Sequence, residues 1–398
     1  MRQIPPEVRR HELGGPDPID RRLGVPRPPT PLAWLLSLLR TRSALGLAPS
    51  LTPAVIFLPL GVLMGPQVLG WLTPRLLERL SIAVTIALAV LGVLVGMALG
   101  REIRSATRLF LAASMESMVT TGAVAAAAAY FITVTGFPLD VPVIGFSLAL
   151  GLCASTSSAT SAHPDSESAA AVATRVADLD DVLPIALATM VFALLASPTE
   201  PGTLVMALAP PLIGLAVGAI GWLVFERAES GPERVLFVLS TLALAGGAAA
   251  YLHVSPLAVG LVAGLVWTVA PGRADRVVEN DLRRVQHPLV VLLLVTAGAS
   301  ATFSAAAMWL LPPYLLFRLA GKVAGAWVSA PHVDVQSSDL AAFLMPPGVL
   351  AIAFALNFSQ ILPAGSAQIL LATVAVGTAA FELFALAVVP HWRKERTE

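Results

Sequence analysis

The stretch ADLDDVLP, residues 177–184, places three aspartates inside an apolar segment that runs from 168 to 196. Asp180 and Asp181 fall near the middle of this segment, which is long enough to span a bilayer at about 20 residues per helix. Charged side chains at such a depth are costly and are functional candidates by default. Neighbouring helix residues point about 100° apart, so one carboxylate can face an ion cavity while the other faces a neighbouring helix. The alternative is a structural ion pair at a packing defect.

The composition indicates that lipid surrounds most of the chain. Of 398 residues, 56% are hydrophobic and 13% are charged, with a mean hydropathy of +0.80, whereas soluble domains carry about 25% charged residues. The formal net charge of zero argues against a broad basic face, so no nucleic acid is expected as a partner. The single cysteine excludes an intrachain disulfide, and the six histidines lack the spacing of a structural zinc site.

The sequence also lacks the signatures of an enzyme. It shows no Ser/His/Asp arrangement, no metal-ligand spacing and no glycine-rich phosphate loop. We therefore expect neither catalysis nor a cofactor, and any transport should draw its energy from an ion gradient instead of ATP.

Twelve apolar segments predict an all-α polytopic membrane protein, because lipid offers no hydrogen-bond partner to an open sheet edge. The predicted spans are 51–72, 79–100, 107–134, 140–162, 168–196, 203–225, 234–251, 253–270, 284–303, 305–329, 339–361 and 366–390. Arginines gather on alternate connections, which places both termini in the cytoplasm by the positive-inside rule. The protein is thus expected in a bacterial-type inner or plasma membrane.

The two ends of the chain are polar. Residues 1–50 are predicted to be a disordered cytoplasmic leader that includes an interfacial helix over 32–48. This short segment contains Arg40 and Arg42, which disfavours a thirteenth span. Residues 391–398 are predicted to form a cytoplasmic tail.

A few further charges lie inside predicted spans. Lys322 is one of only two lysines in the chain, and it shares a helix face with Arg318, four residues earlier. Since a buried lysine can lose its proton whereas an arginine does not, Lys322 is a candidate titratable cation; the alternative is a lysine that reaches out to the interface. Buried structural pairs, with partners unassigned, are predicted for Glu116, Arg175, Arg318 and Glu382.

Two spans carry signals that weaken a helix. The polar run CASTSSATS, 153–161, lies in one span and MPPG, 345–348, in another. Interrupted helices are a sequence signature of transporter binding sites, and we expect a break within each run, the second one at Pro346 and Pro347. Taken singly, the first run could provide hydrogen bonds between helices and the second a simple kink.

Small residues at helical spacing predict close helix contacts within one chain. The pairs and triplets are Gly92/Gly96/Gly100, Gly214/Gly218, Gly260/Gly264 and Gly321/Gly325.

At these motifs the chain resembles the monovalent cation:proton antiporter superfamily, which has the sodium/proton exchanger fold. LGVLMGPQVLG, 60–70, looks like its early G-x-x-x-G-P-x-x-L-G element, and LDDVL, 179–183, resembles the two-aspartate motif of its electrogenic branch. HVSPLAVGLVAG, 253–264, and GTAAFEL, 377–383, are similar to later signature segments.

The resemblance implies two inverted five-helix repeats with crossing, discontinuous helices in the fourth and eleventh spans. It further implies a transmembrane domain over 51–390, in which spans 3–5 and 10–12 form a core and spans 1–2 and 8–9 mediate homodimerisation. Asp181 matches the principal ion-binding carboxylate, which would hold the monovalent cation, and Asp180 matches the acid that pairs with Lys322. Ser155 and Thr156 fall near the position at which the family's fourth span unwinds. The chain departs from the family's pattern at Pro184 and at Pro346-Pro347.

The resulting hypothesis is a secondary active transporter that exchanges protons for Na⁺, or Li⁺ or K⁺, by alternating access. In it, cation arrival breaks the pair between Asp180 and Lys322, and either group releases a second proton, which makes exchange electrogenic. Two alternatives stay open: a sodium-coupled organic-anion symporter of related fold, and a membrane scaffold or sensor that transports nothing.

Overall fold

The computed structural model describes residues 53–102, 107–158, 169–196, 200–227, 232–271, 274–333 and 335–394. Regular secondary structure within these ranges is helical. The helices are α1 Pro53–Met64, α2 Pro74–Glu102, α3 Thr107–Thr135, α4 Val143–Ser155, α5 Ala169–Leu179, α6 Val182–Ala196, α7 Glu200–Arg227, α8 Pro232–Leu252, α9 Pro256–Val269, α10 Ala274–Ser300, α11 Ala305–Ser329, α12 Ser337–Leu344, α13 Val349–Ser359 and α14 Ala364–Lys394. The predicted leader and its interfacial helix lie outside the described residues, as do residues 395–398 of the predicted tail.

Each of the twelve predicted spans contains at least one helix. Six stretches of the described chain are helical, long and apolar enough to cross a bilayer, or seven if α12 and α13 are counted as one bent span. The protein is therefore a helical integral membrane protein, while the number of twelve crossings stays a prediction.

Several predicted spans are not continuous helices. The first ends at Met64, and a turn follows in which Gly70 has a φ of +66°. Pro66 explains this end, since a proline disfavours helical backbone at the residue before it. The segment 339–361 divides into α12 and α13, which meet at 55°, because Pro346 and Pro347 lack the N–H groups that would continue the ladder.

Helices α2 and α9 cross at glycines. A Cβ on Gly92 or Gly96 of α2 would overlap the carbonyl oxygen of Leu257 or Leu261 on α9. In return, Gly260 and Gly264 face the carbonyl groups of Ala89 and Val93. The backbones are thus in direct contact, which confirms that these small residues pack helices within one chain.

A second group of helices encloses the charged residues. Helix α3 packs on α4 and α11, and α13 packs on α4 and α14. Residues of these helices contribute to one buried apolar cluster, which includes Phe146, Leu150, Phe354 and Phe358. Asp180 and Asp181, which follow α5, are therefore buried among helices.

Candidate functional site

The two central aspartates form the break between α5 and α6. Helix α5 ends at Leu179 and α6 begins at Val182, so Asp180 and Asp181 lie between them. Pro184 explains the interruption, because its missing N–H would otherwise bond to the carbonyl oxygen of Asp180, four residues earlier. Ser117 Oγ donates to that oxygen instead, at 2.5 Å. The serine on α3 thus stabilises the break.

Both aspartate side chains are deeply buried and poorly satisfied. Asp180 is 0% exposed and Asp181 is 4% exposed. Neither carboxylate oxygen of Asp180 accepts a hydrogen bond, and Oδ1 of Asp181 accepts none. Because buried polar atoms are normally paired, these oxygens mark a place where a proton or a cation can bind.

Lys322 reaches this break from α11. Its Nζ lies 3.8 Å from Asp180 Oδ2 and 3.0 Å from Glu116 Oε1 on α3. All three side chains have no exposed surface. The nearer partner is Glu116, so the lysine has two candidate counterions instead of the single one that the resemblance implies.

The C-terminal end of α4 also binds Lys322. The helix stops at Ser155 because Thr156 is extended, with φ −66° and ψ 148°. Nζ donates to the carbonyl oxygen of Ser155 at 2.5 Å and to Ser157 Oγ at 2.6 Å. A cation at this position compensates the partial negative charge at a helix C-terminus.

Arg318 joins the two broken segments, and it is fully buried. Its Nη2 donates to the carbonyl oxygen of Thr156 at 3.0 Å, and its Nη1 donates to that of Met345 at 3.5 Å. Its Cζ lies 4.7 Å from the ring centroid of Phe381, a cation–π contact. The breaks also meet directly, since the backbone N–H of Ser158 donates to the carbonyl oxygen of Pro346 at 2.9 Å.

The structure thus brings together Asp180, Asp181, Lys322, Ser155, Thr156 and Pro346, along with Glu116 and Arg318, which had no assigned partners. Pro347 lies in the same break, next to Pro346. Glu382 on α14 is 3% exposed. Its negative charge attracts the guanidinium group of Arg318. The roles of all these residues remain predictions.

One residue differs from its prediction. Arg175 does pair, with Glu102 of α2, but its side chain is 45% exposed. The pair is therefore not buried, and the prediction of a buried position for Arg175 is wrong. Its position explains this: Arg175 lies in α5 more than one turn before the buried Asp180 and Asp181.

Helix α3 has a buried polar face, of which only Glu116 was predicted from the sequence. Glu116, Ser117, Thr120 and Thr121 are all buried, and Thr120 Oγ1 donates to Glu116 Oε1 at 3.0 Å. Residues 116 and 120, and residues 117 and 121, are each four apart and lie on one side of a helix. This spacing is the signal that could have identified the face.

The described chain also has a solvent-accessible pocket beside the break. It is lined by Arg101, Asp178 and Glu279, among others, and Arg101 pairs with Glu279 at 2.9 Å. Asp178 therefore belongs to a different environment from Asp180, although only two residues separate them.

The arrangement of helices defines the class of fold. The chain superposes with a TM-score of 0.60 on a sodium proton antiporter, MjNhaP1 from Methanocaldococcus jannaschii, solved at pH 8. The match covers 84% of this chain and 92% of that one, at 14% sequence identity. The predicted sodium/proton exchanger fold is thereby confirmed as a fold. Neither a protein-family model nor a curated protein sequence matches the chain, so the two-aspartate branch stays a prediction.

Proposed function

We propose that the protein is a secondary active antiporter that exchanges protons for Na⁺, or for Li⁺ or K⁺, across the membrane. The observation that carries the proposal is the pair of adjacent, buried aspartates at the α5–α6 break. Three of their four carboxylate oxygens accept no hydrogen bond. The fold shared with a sodium proton antiporter supports the same class of substrate.

The chemistry of the pair accounts for exchange. A bare carboxylate in a buried site is unfavourable unless something neutralises it. A proton and a monovalent cation can each do so, but they compete for the same oxygens. Asp181 would therefore carry either one proton or one cation at a time, and this competition couples the two fluxes.

The second carboxylate would make the exchange electrogenic. Asp180 lies beside Asp181, and each raises the cost of ionising the other. A single cation that settles between them would release a proton from each. Two protons would then cross for one monovalent cation, which moves net charge.

Alternating access would use the contacts around the two broken segments. These contacts are hydrogen bonds to backbone carbonyl groups, made by Arg318 and Lys322. In such transporters one helix bundle rocks against another around a fixed site. We assign the moving core to predicted spans 3–5 and 10–12, and the homodimer contact to predicted spans 1–2 and 8–9.

Reconstitution tests the proposal. Purified protein in proteoliposomes with an internal pH dye should show proton flux when Na⁺, Li⁺ or K⁺ is added, scanned over external pH. Asp140→Asn is the matched control, because Asp140 is exposed in the connection before α4.

The outcomes separate the alternatives. Flux that depends on a monovalent cation, and that is lost in Asp181→Asn but kept in Asp140→Asn, supports the antiporter. Full exchange in Asp181→Asn would overturn the site assignment. Uptake of an organic anion that depends on Na⁺ but not on pH would indicate a symporter. No flux above that of protein-free liposomes in the wild type, unchanged by Asp180→Ala and Asp181→Ala, would indicate a scaffold.

A further inference from the structure

Lys322 lies beside two carboxylates and two other oxygen acceptors. Its Nζ donates to Ser155 O at 2.5 Å and to Ser157 Oγ at 2.6 Å. A protonated lysine has three N–H donors, so one is left for a carboxylate. Glu116 Oε1 lies 3.0 Å from Nζ, whereas Asp180 Oδ2, at 3.8 Å, lies beyond hydrogen-bond distance. Glu116 is therefore the nearer counterion.

We propose that Glu116 is the resident counterion of Lys322, a positioning residue that keeps the ammonium group next to α3 and leaves the carboxylate of Asp180 free for the transported ion. The inference rests on the proposed antiporter function and narrows it. The pair between Asp180 and Lys322 that cation arrival would break is replaced by a pair between Glu116 and Lys322 that stays closed.

Glu116 is held firmly enough for this role. Its Oε1 also accepts from Thr120 Oγ1 at 3.0 Å. Helix α11 packs closely on α3 at this level, since a Cβ on Gly325 would lie 3.0 Å from the backbone oxygen of Glu116, and one on Gly321 would lie 2.9 Å from Thr120 Cα. The distance from Glu116 to Lys322 is thus fixed by two helix backbones in contact.

Asp180 is attached differently. It lies in the break between two shorter helices, on neither α3 nor α11. Ser117 bonds its backbone oxygen, not its carboxylate. Its carboxylate can therefore change partners while the pair between Glu116 and Lys322 stays closed.

The other charges near the site do not replace Glu116. Asp178 and Asp181 lie within two residues of Asp180 in the chain. Arg318 lies one turn before Lys322 on α11 and donates to the carbonyl groups of Thr156 and Met345. Glu382, on α14, acts on Arg318. Among these groups, the carboxylate of Glu116 is the one within 3.0 Å of the ammonium.

The test compares cation dependence in Glu116→Gln with that of the wild type, in proteoliposomes. With Glu116 neutral, Lys322 should turn to Asp180 and compete with the cation. The KM for the cation should then rise about five- to tenfold, with kcat changed less than about twofold. Glu116→Asp, which keeps the charge, should show a smaller rise. Glu102→Gln is the matched control, because Glu102 pairs with Arg175 outside the site, and its KM should not change.

An unchanged KM in folded Glu116→Gln would overturn the inference. If Glu116→Gln does not fold, Glu116→Asp takes its place, and an unchanged KM there counts against the inference. Absence of exchange in the wild type would instead contradict the proposed function.

Discussion

The α2–α9 crossing and the aspartate break show two different ways of holding helices together. At the crossing, Gly92, Gly96, Gly260 and Gly264 bring backbone against backbone, with no side chain in between. At the break, helices are joined by Lys322 and by other side chains whose hydrogen bonds can be exchanged. The first contact has one packed arrangement, whereas the second can be remade with other partners. We infer that the crossing provides a fixed frame and the break provides the moving, binding part.

Loss of Asp181 should have the largest effect on function. Asp181→Asn removes the charged oxygen that a cation needs, and losing one partner of a buried charge pair costs about 3 kcal/mol or more, roughly 100-fold. Exchange should therefore fall by that factor while the amount of folded protein stays close to the wild type. Flux and size-exclusion profiles check the two parts, and a large loss of folded protein with residual exchange would contradict the comparison.

A substitution at the α2–α9 crossing should lower stability and leave cation binding nearly unchanged. Gly96→Ala places a methyl group onto the carbonyl of Leu261, and such overpacking costs about 1–3 kcal/mol of stability. Gly122→Ala is the control, because a Cβ there meets nothing within 4 Å, and it should be neutral or stabilise helix α3 by up to about 1 kcal/mol.

Thermal unfolding in detergent distinguishes these two variants. Folded Gly96→Ala protein should still exchange with a KM for the cation near that of the wild type. Equal melting of the two variants would show that the crossing is not a rigid contact.

The pH dependence of the KM for the cation tests the aspartate break and does not depend on the α2–α9 crossing. If each cation displaces one proton from the aspartates, the KM for the cation should rise about tenfold for each unit that pH falls, over the range in which they are protonated. If each cation displaces two protons, the KM for the cation rises more than tenfold per pH unit. The slope is measured from initial rates at several pH values, and a KM independent of pH would exclude competition at the same oxygens.

The smallest effect is expected at Thr120. Thr120→Val removes the hydrogen bond to Glu116 Oε1 without changing charge, and one such bond contributes about 1 kcal/mol. The KM for the cation should rise by about two- to fivefold, less than in Glu116→Gln. An effect larger than that of Glu116→Gln would mean that Thr120 contacts the transported ion itself.

Much of the fold was predictable because lipid imposes simple rules. Spans need a minimum apolar length. Prolines such as Pro346 can interrupt a helix, although Pro210–Pro211 and Pro312–Pro313 lie inside continuous helices. The break at Asp180 was harder to predict, because it follows from Pro184 four residues later. In the sequence, Pro184 is visible as a departure from a family motif, but the hydrogen bond that it removes is not.

The pairing inside the site could not be predicted. Glu116 and Lys322 are far apart in the chain, and their contact depends on how closely α3 and α11 pack at Gly321 and Gly325. The spacing of residues in the sequence predicts which side chains are neighbours on one helix. It does not predict contacts between two helices. The same limit applies to Arg175, whose exposure depends on where α5 meets the surface.

Proton release on cation binding tests the central claim most directly. Purified protein in weakly buffered detergent solution, mixed with Na⁺, Li⁺ or K⁺, should release protons that a pH indicator detects without any transport. We predict release from the wild type, reduced release from Asp180→Asn, and none from Asp181→Asn. Cation binding that releases no proton from the wild type would contradict the account. Proton release that is unchanged in the double variant Asp180→Asn/Asp181→Asn would contradict it as well.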